Sequence, residues 1–138
     1  MLQAYSTNID VAADTAVPFN NVVVDKGCAE SLSAPSTIQL NKRGVYLVEF
    51  DGSAMGDTAA GLVTFQLYVN GVALPQAISS FTAVAITSVY PVGFKCLVQV
   101  TENNCNCNLL SSPTVLQIRT GETAVSGLHA NVVVTKLI

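Results

Sequence analysis

The sequence has no tryptophan, a single histidine (His129), and charged residues at only 11% of its positions. Globular domains usually carry about 25%. Six Lys and Arg stand against nine Asp and Glu, a net charge of −3. Lys42-Arg43 is the only adjacent basic pair. Binding nucleic acid through phosphate neutralisation needs a basic stripe, so nucleic acid is not an expected partner. No run approaches the roughly 20 apolar residues of a membrane span, and a membrane partner is not expected either. The opening Met1-Leu-Gln-Ala-Tyr-Ser-Thr-Asn has neither a basic nor an apolar region of the kind a signal peptide needs. The expectation is synthesis in a host cytoplasm without a signal peptide.

Half of the 138 residues are hydrophobic, enough for one domain with a substantial core. A shell this small and this poor in charge must hide part of its apolar exterior. Its own copies are the simplest cover.

No segment shows a 3.6-residue period, and strand signals recur along the whole chain. Residues 1–16, interrupted by Asn8, Asp10 and Asp14, read as an N-terminal arm or edge strand, and 17–138 as the folded domain. Val17 to Val24 reads as a strand, Asp25-Lys-Gly27 as a turn, Ser31 to Ser36 as a loop, and Thr37 to Leu40 as a short strand. In the strand from Val45 to Ser53, Tyr46, Val48 and Phe50 fall on one face and Val45, Leu47 and Glu49 on the other. Both faces are largely apolar, whereas a one-sided sheet alternates apolar with polar. One face therefore belongs to the core and the other to a partner. Leu62 to Val69 alternates cleanly and ends on Asn70-Gly71, a strong hairpin signal. Val72 to Ser79 pairs back, and Pro75 marks it as an edge. Val84 to Tyr90 reads as another strand. From Phe94 to Thr101, Phe94, Cys96, Val98 and Val100 oppose Lys95, Leu97 and Gln99. Glu102 to Pro113 reads as a polar loop, and Thr114 to Arg119 and Ala130 to Ile138 as the last strands. The sum is an all-β, antiparallel sandwich or barrel of about eight to ten strands.

The order of these signals resembles the C1q/TNF-like jelly roll. The residues that carry it are Phe19 and Asn20, Thr37-Ile-Gln-Leu40, Gly44-Val-Tyr46, Phe65-Gln-Leu-Tyr-Val-Asn-Gly71, Leu97-Val-Gln-Val-Thr-Glu-Asn-Asn104 and the closing strands. The resemblance covers about residues 17–138. The family's last strand often carries Phe-Ser-Gly-Phe; here it is Ala130-Asn-Val-Val-Val, which leaves that strand's register open. The resemblance implies a homotrimer packed about a threefold axis. By that analogy Val45, Leu47, Glu49, Lys95, Leu97 and Gln99 form the trimer interface, where Glu49 and Lys95 could pair across subunits; the alternative is that both point at solvent near a loop. The opening residues and the Asn103-Asn-Cys-Asn-Cys107 stretch look, more narrowly, like the small proteins encoded beside capsid genes in phages and prophages of Gram-positive gut bacteria. That likeness implies a virion structural protein on the capsid exterior, a head decoration or head-fibre protein. Its partners would be itself, the major capsid protein or another virion protein, and a host cell surface. The alternative is a receptor- or glycan-binding tip module of a tail fibre or of a bacterial or spore surface. The absence of tryptophan and of a Gly-x-y stalk weighs against it.

No residue set reads as catalytic. His129 lacks a nucleophile elbow, since Gly52-Ser-Ala-Met-Gly56 has the wrong spacing for one. A zinc site from Cys105, Cys107, a third cysteine and His129 would have a one-residue gap where two to four are usual. Asp51, Asp57 and the Glu102 loop are too sparse in ligands for calcium. No cofactor or metal is expected. Cys96 reads as a small buried hydrophobe, while Cys28 and Cys105 lie in or beside loops where a disulfide is open to either state.

Overall fold

In the computed structural model of the chain, residues 1–57, 61–101 and 109–138 are described, the side chains of 109–112 excepted. Ten strands follow one another: β1 (Leu2–Val11), β2 (Asn21–Asp25), β3 (Glu30–Ala34), β4 (Thr37–Lys42), β5 (Gly44–Gly56), β6 (Leu62–Val69), β7 (Val72–Thr82), β8 (Val89–Val100), β9 (Leu109–Thr120) and β10 (Val125–Lys136). They form two five-stranded sheets. Sheet A has the order β2-β1-β10-β5-β8, and sheet B the order β3-β4-β9-β6-β7. All ladders are antiparallel.

Alternation builds the core. Tyr46, Val48 and Phe50 of β5 point inward beside Cys96 and Val98 of β8 and Val132 and Val134 of β10. Sheet B answers with Val63, Phe65 and Leu67 of β6 and Leu116 and Ile118 of β9. Phe50 joins the layers, its ring 5.5 Å from Phe65 across the sandwich and 5.3 Å from Phe94 beside it. Each such side chain contributes about 1.5–3 kcal/mol by leaving water.

Turn chemistry sets the hairpin as expected. Asn70 and Gly71 have φ of 50° and 80°, the backbone a two-residue turn requires. Asn70 Oδ1 also accepts from the Val115 amide at 2.8 Å, tying the β6–β7 hairpin to β9. β7, with Pro75, is an edge of sheet B.

Several expectations need correction. Residues 2–11 are no arm or edge. β1 is hydrogen-bonded to β10 on one side and β2 on the other, with Leu2, Ala4 and Ser6 buried. Its small and polar residues masked the alternation. Asn8 and Gly127, both at positive φ, sit in successive irregularities of the β1–β10 ladder. The stretch 17–20 is outside any strand although Val17 and Phe19 are core residues. The loop expected at 31–36 is largely β3, paired with β4. The strand expected from Val84 to Tyr90 begins only at Val89. β7 and β8 belong to different sheets, so the chain must cross the sandwich edge there, and crossing overrides local β-propensity. Leu109 to Pro113 belongs to β9; the rest of the polar loop, 102–108, lies outside the described residues. The open register of the last strand resolves as Val132 opposite Phe50 and Val134 opposite Val48.

Buried hydroxyls hold the β1–β2 connection. Ser6 Oγ donates to the Pro18 carbonyl at 2.7 Å and accepts from the Asn20 amide at 2.8 Å. Thr120 Oγ1 donates to the Ala12 carbonyl at 2.7 Å and accepts from the Thr15 amide at 3.1 Å. Glu30, the one buried charged residue among those described, pairs with the ammonium of Met1. Nearby, Tyr46 Oη donates to the Lys42 carbonyl at 2.7 Å. Burial, with the charge of Glu30 adding to it, pushes the Tyr46 phenol up to about 12.

Two outcomes follow from these contacts. Replacing Ser6 with Ala leaves the Pro18 carbonyl and Asn20 amide without their partner and should cost about 1–2 kcal/mol. It should read as a lower denaturant midpoint at unchanged m-value. The raised Tyr46 pKa means the folded chain keeps a proton that the unfolded chain loses above pH ~10. Stability contributed by this group is complete below that pH and falls as pH rises through about 12. Tyr46→Phe should flatten this alkaline slope in a pH series of melting curves; an unchanged slope would reject the assignment.

Candidate assembly interface

β5 and β8 are central and edge strands of sheet A, and their register aligns the six residues singled out in the sequence. Val45 faces Gln99, Leu47 faces Leu97, and Glu49 faces Lys95. All six lie on the outer face, since their neighbours Tyr46, Val48, Cys96 and Val98 are buried. In the single chain Leu97 is 57% exposed, while Val45 and Leu47 are half-buried.

β10 and β1 widen the face. Thr135 lies beside Leu47, Val133 beside Glu49, and Asn131 beside Asp51. Gln3 and Tyr5 of β1 come next, opposite Val133 and Asn131. These residues were missed in the sequence reading. The available signal was Val132-Val-Val134, because three consecutive valines cannot share one side of a strand. The face thus grades from a largely apolar end at Val45, Leu47 and Leu97 to a polar row, with Val133 lying between Glu49 and Gln3. In that row Gln3 Nε2 donates to Asn131 Oδ1, and Asn131 Nδ2 donates to Asp51 Oδ1, both at 3.0 Å.

Lys95 Nζ stands 3.8 Å from Glu49 Oε2 within one chain. Within the chain the two residues are direct ladder partners. Both side chains are solvated, so the pair is worth ~0–1 kcal/mol. Gly93 leaves a shallow depression of about 350 Å³ beside them, floored by Phe94 and rimmed by Asp51 and Asn131. A side chain at 93 would crowd the Phe50 carbonyl, at 2.8 Å from its Cβ.

The other singled-out residues do not converge. His129 is exposed opposite Ser53, and Asp51 takes its hydrogen bond from Asn131. Asp57 lies at the far end of β5, near Asp10. Cys28 is a free, exposed thiol and Cys96 a free, buried one. Cys105, Cys107 and Glu102 lie outside the described residues. Among the described residues no helix is long and apolar enough to cross a membrane.

No protein-family model and no curated protein matches the sequence. Solved structures do match. PRD1 vertex protein P5, a phage protein, aligns over 99% of this chain and 96% of its own at 15% identity, with a TM-score of 0.64. Eiger TNF from S. frugiperda aligns over 99% and 92% at 12% identity, TM-score 0.67. Murine APRIL at pH 5.0 aligns over 99% and 98% at 11% identity, TM-score 0.66. The fold is the antiparallel jelly roll of the C1q/TNF-like proteins, as the sequence resemblance implied.

Burial pushes the Cys96 thiol pKa up, so little of it is thiolate at neutral pH. Iodoacetamide should label Cys28 in the native protein, and Cys96 only in denaturant, by peptide mass spectrometry. Native labelling of Cys96 at the rate of Cys28 would contradict the burial of this β8 face.

Proposed function

We propose that the chain is a structural component of a phage particle, in which three copies bury the outer face of sheet A against one another. The assembly sits on the outside of the head, as a decoration or head-fibre protein. The observation that carries this reading is the outward apolar set of Val45, Leu47, Leu97 and Val133, in which Leu97 is exposed and the other three are half-buried in one chain. β5 is apolar on both sides, yet one chain fully buries only the Tyr46–Phe50 side. With charge at 11% of positions, little else keeps this stripe in water.

The likeness to a phage vertex protein supports the particle reading, at the level of the fold. The physics suits a mechanical part. Apolar burial at ~25 cal/mol per Å² holds the copies together. Many assemblies on one lattice convert weak attachments into firm ones. The partners are other copies and a capsid or other virion protein, with a host surface as a further contact. No step of chemistry is invoked. The alternative, a receptor- or glycan-binding tip, would rely on loop aromatics as anchors. Phe81 lies in β7 and is stacked on Tyr90 at 4.6 Å.

Light scattering on the purified chain at micromolar concentration should report three copies. The double variant Leu47→Asp, Leu97→Asp should run as single copies with an intact fold by circular dichroism. Each leucine contributes about 1.5–3 kcal/mol when buried, so the dissociation constant should rise by two or more powers of ten. A wild-type monomer would sink the ring. Absence of the chain from purified heads, measured by quantitative mass spectrometry, would sink its placement on the particle.

A further inference from the structure

Four acids gather at one end of the sandwich, whereas the other end mixes bases with Asp25 and the buried Glu30. Lys26, Lys42, Arg43 and Lys136 lie where the β2–β3 and β4–β5 turns and the end of β10 meet. Asp10, Asp14, Asp57 and Glu122 lie at the opposite end, and all four are exposed. The β9–β10 turn draws these acids together. The Asp14 amide donates to the Gly121 carbonyl at 2.8 Å, and the Asp57 amide to the Ala124 carbonyl at 3.0 Å. Asp10 Oδ1 accepts from the Gly127 amide at 3.2 Å. Two shallow depressions flank the turn, one of about 280 Å³ shared by Asp14, Leu62 and Glu122, the other of about 330 Å³ shared by Asp10 and Asp57. Arg119, the nearest described cation, is already engaged. Its guanidinium donates to the Asp14 carbonyl at 3.1 Å and lies 5.2 Å from the Tyr68 ring centroid.

The same end carries exposed apolar side chains. Leu62, Val84, Ile86 and Val89 are all exposed, Val84 at 80%. Loops normally present polar residues to water, yet residues 83–88 contain no charge at all. This loop is pinned in place. The Ala83 amide donates to the Gly61 carbonyl at 3.1 Å, the Val84 amide to Tyr90 Oη at 2.9 Å, and the Ser88 amide to the Ala85 carbonyl at 3.1 Å. Its valine and isoleucine are therefore held outward, and binding would lose little entropy in ordering them. An apolar centre beside a charged rim is the anatomy of a protein interface. The sign of the rim repels nucleic acid and anionic bilayers and attracts Lys and Arg.

We propose that this end of the sandwich docks a protein surface that sets leucine-like side chains beside Lys or Arg. The inference builds on the assembly reading above, in which the outer face of sheet A is covered and the ends stay open.

The probe is a short peptide of alternating Lys and Leu, titrated into ¹⁵N-labelled full-length protein. Amide shifts should cluster at Leu62, Val84, Ile86 and Glu122. The variant D10N/D14N/D57N/E122Q keeps the side-chain oxygens and a residue tolerant of positive φ at 14, and should weaken binding about tenfold. Val84→Ser with Ile86→Ser should weaken it at least as much at high salt, where the charge contribution is screened. A Glu-Leu peptide and anionic phospholipid vesicles should not bind. Shifts spread evenly over the surface, equal binding of the Glu-Leu peptide, vesicle binding at these residues, or indifference to both variants would each overturn the proposal. Light scattering on the same samples reads the ring independently. A monomer that still binds the peptide at this end keeps the docking surface and removes the ring.

Discussion

The structure depends on one burial, that of the Tyr46, Val48 and Phe50 face of β5 against sheet B. β5 is the longest strand and is hydrogen-bonded to β10 and β8 along its length. Phe50 contacts rings in its own sheet and in the opposite one. Once that face is inward, period-two geometry sends Val45, Leu47 and Glu49 outward. The candidate interface is thus a consequence of the core, because an apolar strand with only one side to hide leaves the other side open.

The rest of the fold extends that outer face across β10 and β1. β1 enters the sheet beside β10, aided by buried Ser6 and Thr120, which anchor the connection that follows it. Gln3, Asn131 and Asp51 then lock three strands together through side-chain hydrogen bonds on the outer surface. The Glu49–Lys95 pair completes this polar row without adding much energy. A surface that is apolar at one end and hydrogen-bonded at the other suits a contact with defined orientation. On β5 and β8 the outer face carries Glu49, Asp51 and Lys95 as its charges, two of them paired.

Much of this was legible in the chain because hydrophobic period two is a strong local signal. The inward and outward sets of β5, β6 and β8 could be read residue by residue, and Asn70-Gly71 marked its hairpin. β1 was not legible, because Ser6 is a core residue only by virtue of the Pro18 and Asn20 groups it meets. Val84 to Ser88 misled in the opposite direction. Its β-branched residues suit a strand, but the chain is there passing between sheets. The role of Val133 and Asn131 needed the register of β10, which its run of valines left ambiguous.

The sequence by itself determined an all-β shell, its alternation and its shortage of charge, since these depend on residue type and spacing alone. Tertiary structure decided which strands are neighbours. That placed Val45, Leu47, Leu97 and Val133 in one patch and Asp10, Asp14, Asp57 and Glu122 at one end. Residues far apart along the chain become adjacent only through strand pairing and loop crossings, and no local pattern carries that information.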